Sequence, residues 1–73
     1  MAKEVKFKEV FKKELKKRKI TRQMFADELH YGIEQVNNWA RGKSVPKTYD
    51  LVILADYFDM SLDMLVTGEG YDL

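Results

Sequence analysis

Apolar residues recur along this chain at helical intervals and nowhere with the alternation of a strand. Between residues 5 and 19 they fall at Phe7, Val10, Phe11 and Leu15, with lysines on the other faces. That spacing predicts a first helix. Phe25, Ala26 and Leu29 predict a short second helix, and Val36, Trp39 and Ala40 predict a third, each with one apolar stripe. Leu51, Leu54, Ala55 and Phe58 predict a fourth, running to about Phe58. Leu62 and Leu65 predict a last short helix through about Val66, both residues packing inward. The pattern predicts an all-α domain of five short helices over residues 5–68, with 1–4 frayed and 69–73 a loose tail.

Punctuation residues fit these spans. Thr21 is a good N-cap for the second helix, although Met24 stands where a capping box needs a glutamate. Gly32 serves as N-cap of the third helix and Gly42 closes it. After the loop from Lys43, Pro46 fits the first turn of the fourth helix, where its missing N–H costs nothing. Asp59 and Met60 form a break, and Ser61 caps the last helix. No glycine ends the first helix, and Lys16 to Lys19 fall in its last turn, where cations favour the helix dipole. His30 stands where a left-handed residue closes the second helix, at roughly 1 kcal/mol over glycine. Met24, Met60 and Met64 read as core filler, and Trp39 as a core anchor under the third helix.

Composition narrows the class. A chain of 73 residues with 45% hydrophobic and 34% charged residues is one folded domain, not a disordered segment. It has no cysteine, so disulfides and thiolate metal sites are excluded and a reducing cytoplasm is the expected location. No apolar run suits a membrane span or a secretory signal. The lone His30 has no carboxylate or thiol cluster near it in sequence, which argues against metal or catalytic use. No nucleophile–base pair or carboxylate dyad stands out either, so an enzyme is not expected. Charge adds an asymmetry: residues 1–48 hold all 13 Lys and Arg against 6 acids, a balance of +7, while residues 49–73 hold 6 acids and no cation. One end is suited to a polyanion and the other faces away from it. A lysine-rich solvated helix gives the same numbers.

The stretch TRQMFADELHYGIEQVNNWARG, residues 21–42, organises the rest. Its corner, His30-Tyr31-Gly32, is too short for antiparallel helices, so the two cross steeply. The third helix then carries Ile33, Glu34, Asn37, Asn38 and Arg41 outward. Asn and Gln can bond the N6 and N7 edge of adenine, Ile can pack on a thymine methyl, and Glu can accept from cytosine N4. Glu34 has a second explanation, since a carboxylate in a first helical turn stabilises the helix. Arg22 and Gln23 lie at the exposed start of the second helix, a ready phosphate contact or plain surface.

FADEL-HYG-IEQVNNWARGK resembles the helix-turn-helix of the Cro/C1-type repressors, the XRE family. Pro46 follows, and LVILADYFDMSLDML is similar to that family's closing segment. The joint spacing of Ala26, Val36, Trp39, Gly42, Pro46 and Leu65 carries the likeness, which extends over roughly Val5 to Gly68. It implies a compact five-helix, lambda-repressor-like domain that binds double-stranded DNA, with helix 33–41 in the major groove. It implies base contacts from Ile33, Glu34 and Asn38, with Gln35 and Asn37 beside them, and phosphate contacts from Thr21, Arg22, Arg41 and Lys43. Two positions depart from the family. The corner normally has glycine where His30 stands. Many members also pair a buried Arg on the first helix with a Glu on the third, where this chain has Leu15 and Ala40. Losing both partners of such a pair is often neutral.

The expected function is therefore a transcriptional regulator, most simply a repressor, needing no cofactor and no metal. A homodimer, at least on a two-fold DNA site, is expected. Tyr49, Val52, Ile53 and Tyr57, with Met60 and Leu62, supply either its interface or ordinary core packing. The alternative function is a protein-interaction module, an adapter, antirepressor or antitoxin-like partner, on the same fold.

Overall fold

A computed structural model describes residues 4–69 and places five α-helices and no strand in them. They are α1 (Phe7–Lys17), α2 (Arg22–Leu29), α3 (Ile33–Arg41), α4 (Thr48–Phe58) and α5 (Leu62–Thr67). Of the ends expected to fray or trail, 1–4 and 69–73, all but residues 4 and 69 lie outside the described residues. None of the described helices is long and apolar enough to cross a membrane.

Phe11 is fully buried at the centre of the core. Its ring lies 5.3 Å from Phe7, 5.2 Å from Phe25, 6.3 Å from Trp39 and 6.2 Å from Phe58, centroid to centroid. Three of these four contacts are edge-on, the arrangement ring quadrupoles favour. One residue of α1 thus holds α2, α3 and α4 together. Val36, Leu54 and Leu65 fill the remaining space. Helix α1 packs on α3 and α5, and its start is pinned where the Lys6 N–H donates to the Val66 carbonyl at 2.7 Å.

Side-chain caps stand where expected: Thr21 Oγ1 accepts from the Met24 N–H, and Ser61 Oγ from the Met64 N–H, both at 3.0 Å. The helix stops are less ordinary. Lys19, His30 and Asp59 all adopt left-handed backbone, with φ of 58°, 61° and 55°. After each, the next N–H reaches back to the carbonyl five residues earlier: Ile20 to Leu15, Tyr31 to Ala26, Met60 to Ala55. Gly42 closes α3 the same way, with Lys43 donating to Asn38. The reach-back satisfies carbonyls left free at a helix end.

Several sequence expectations are corrected. The first helix is shorter than 5–19, because Lys19 turns left-handed and Arg18 becomes its cap. Pro46 is not in the first turn of α4; Lys47 is the N-cap and buried Pro46 precedes it. Leu62 does not pack inward: it opens the six-residue α5 at 44% exposure, leaving Leu65 as the buried anchor. Met24 and Met64 are exposed at 51% and 38%, so only Met60 acts as filler.

A partly buried ion pair was not anticipated. Glu14, 6% exposed, pairs with Arg18 one turn later. The Arg18 guanidinium also donates to the Phe58 carbonyl at 2.7 Å and lies 4.9 Å from the centre of the Phe58 ring. The pair links the ends of α1 and α4, where a cation suits the free carbonyls of α4. It stands one residue from Leu15, and Leu15 and Ala40 are both buried.

Candidate nucleic-acid interface

The corner between α2 and α3 is set by His30, whose left-handed backbone turns the chain, and by Tyr31, whose ring anchors it. That ring lies 5.0 Å from Trp39 and 6.3 Å from Phe25. The Tyr31 hydroxyl donates to Asp50 Oδ1 on α4 at 2.8 Å. Tyr57 on α4 returns the link, donating to Glu28 Oε2 on α2 at 3.0 Å. Burial first, and then the bond to Asp50, push the Tyr31 phenol well above its ordinary range; burial and Glu28 raise that of Tyr57. Both therefore serve as neutral donors, and α4 is fastened to the corner itself and to α2.

On α3 the division of faces is clear. Val36, Trp39 and Ala40 are buried, while Glu34, Gln35 and Arg41 are exposed. Asn37 and Asn38 are half-buried, and Ile33 leans partly on the core. Asn38 and Gln35 line one wall of a cleft of about 430 Å³ between α3 and the start of α4, opposite Lys47 and Asp50. The Asn38 carbonyl accepts from Lys43 N–H at 2.9 Å and Ser44 N–H at 3.4 Å, which folds the exposed Lys43 loop back onto α3.

The start of α2 meets this face. Arg22 Nη1 donates to Asn37 Oδ1 at 3.3 Å, so Asn37 has one oxygen engaged and Arg22 is steered towards α3. Gln23 donates to Asp27 Oδ1 at 2.8 Å along its own helix. Thr21 is exposed, with its hydroxyl accepting at the cap. Thr21, Arg22, Ile33, Glu34, Gln35, Asn37, Asn38, Arg41 and Lys43 thus share one region of α2, α3 and the following loop. Gln23 lies beside them but is occupied by Asp27. Sequence spacing missed the Arg22–Asn37 bond and the Tyr31–Asp50 bond, since neither pair is close along the chain.

Among the described residues no three His, Asp or Glu side chains converge as a metal site would require. A helix-turn-helix family model matches residues 11–65, most of the chain. The chain belongs to the helix-turn-helix family, of Cro/C1 type. Membership places this domain among DNA-binding helix-turn-helix domains. The structure is also similar to a transcriptional regulator from Listeria innocua, with a TM-score of 0.82 and 26% identity. That likeness covers 96% of this chain and 64% of the other, so the domain spans less than two thirds of the regulator's length. No curated protein matches it.

Proposed function

We propose that this domain binds duplex DNA sequence-specifically through α3 in the major groove and represses transcription by occupying a promoter. The supporting observation is the two-faced character of α3. Its apolar residues are buried while Glu34, Gln35, Asn37, Asn38 and Arg41 lie on or beside the free face. Asn38 and Gln35 bond the adenine edge, Glu34 accepts from cytosine, and the free part of Ile33 meets a thymine methyl. Thr21, Arg22, Arg41 and Lys43 hold phosphates on either side, with Gln23 the weakest member of the set. Phosphate contacts fix the register and base contacts give the specificity.

Two subunits occupy a two-fold site, each reading a half-site rich in A·T. Helix α4 supports this, because Tyr49 and Val52 are 77% and 51% exposed on it and Leu62 lies just beyond. Selection of bound duplexes from a random pool, followed by replacement of adenine with 7-deazaadenine, tests the proposal. Loss of the N7 acceptor is expected to weaken binding by about 1–3 kcal/mol at each contacted adenine. Full binding to the substituted duplex would exclude major-groove reading of adenine.

A further inference from the structure

We propose that Lys8, Lys12 and Lys16 of α1 form an additional track for the DNA phosphate backbone, joining the start of α2 to the end of α3. The inference rests on the DNA-binding reading above and adds an element to it. Positions 8, 12 and 16 are spaced i, i+4 and i+8, so their ammonium groups share one face of α1 and climb about 12 Å along it. The track has two fixed ends. At one, the Lys8 stem lies against Gly42, where its Cδ is 2.9 Å from the place a Cβ would occupy. Gly42 is the cap of α3, between Arg41 and Lys43. At the other end, Lys12 and Lys16 border a shallow depression with Thr21 and Arg22. Arg22 in turn reaches Asn37 on α3. The cations of α1 thus continue the basic rim of the reading helix.

Intrahelical energetics account for only part of this stripe, through Glu9 three residues before Lys12. The dipole favours Lys16 but disfavours Lys8, which sits in the first turn of α1. Like charges four residues apart also repel. A polyanion laid along the stripe relieves both. The opposite flank of α1 provides a matched control. Lys13 and Lys17 border a separate cleft with Asp59, Met60 and Met64, and Lys6, the N-cap of α1, stands seven residues before Lys13 with its backbone N–H bonded to Val66 of α5.

The test compares two triple variants of equal charge, Lys8→Gln/Lys12→Gln/Lys16→Gln and Lys6→Gln/Lys13→Gln/Lys17→Gln. Both are checked for thermal unfolding. Binding to a selected duplex, and to a random duplex of the same length, is titrated between 50 and 200 mM KCl. The first triple is expected to reduce the slope of log affinity against log salt by up to about 2.7, at roughly 0.9 per phosphate. Over that range it forgoes roughly 40-fold of the salt-dependent affinity change. Its base preference stays as in wild type, and the second triple changes the slope by less than one contact. Equal changes in both triples, or none in the first, would overturn the track while leaving the reading by α3 intact. A wild-type domain that binds neither duplex would remove the DNA-binding reading and the track together.

Discussion

Lys19, His30 and Asp59 take the backbone conformation that glycine adopts most easily, and each closes a helix that must stop there for the next to pack. A non-glycine residue in the left-handed region stores roughly 1 kcal/mol. His30→Gly is therefore expected to raise stability by about 1 kcal/mol in urea unfolding, with DNA affinity unchanged; a loss of stability would mean that the imidazole holds the corner by contacts. The position of His30 was legible because an apolar stripe ends just before it. Lys19 was not, since a lysine after three other cations reads as one more turn of helix. The Tyr31 bond to Asp50 gives a pH signature. The folded domain holds the phenolic proton more tightly than the unfolded chain does, so the bond's contribution is whole below the free tyrosine value of about 10 and is lost as the pH rises beyond it. Tyr31→Phe is expected to cost about 1 kcal/mol at pH 7 to 9, with the gap from wild type closing above pH 10. A gap independent of pH would contradict the bond.

At the scale of elements, α3 was the most legible, because Val36, Trp39 and Ala40 define a single buried seam and Gly42 marks its end. Helix α4 was harder: its stripe gave the buried Leu54 and Phe58, but it is apolar on nearly every face, so periodicity could not divide the rest into exposed Tyr49 and Val52 and core-packed Ile53 and Tyr57. The link between α1 and α4 was hidden for another reason. Glu14 lies in a lysine-rich helix and reads as surface, yet it is buried and fixes Arg18 against the end of α4. Removing one partner strands a buried charge. Arg18→Ala is expected to destabilise the domain by about 3 kcal/mol, the lower end for a broken buried pair, because the arginine side chain is 32% exposed. Replacing both residues by leucine is expected to be near neutral. Chemical unfolding of the single and double variants measures the difference, and additive losses would deny the coupling.

For the whole molecule, most of the cations and the exposed apolar residues of α4 lie on different elements. The cations lie in the first 48 residues, mostly on α1, at the start of α2 and at the end of α3, with Lys47 at the N-cap of α4, whereas Tyr49 and Val52 stand on α4 itself. A dimer formed through α4 buries the exposed Tyr49 and Val52. Sedimentation at rising concentration is expected to show self-association in wild type and its loss in Val52→Asp; a monomer at every concentration would discard α4 as a free-dimer surface. The fold was legible nearly throughout because each helix carries its own stripe. Contacts between distant residues, such as Arg22 with Asn37, were not, because no local spacing encodes them. Base reading by α3 is tested most directly by selecting duplexes from a random pool with wild type and with Asn38→Ala in parallel. The expected result is a two-fold site with half-sites about 34 Å apart in both, and one A·T position per half-site relaxed by about 1–3 kcal/mol in the variant. Identical base preferences from the two proteins would contradict it.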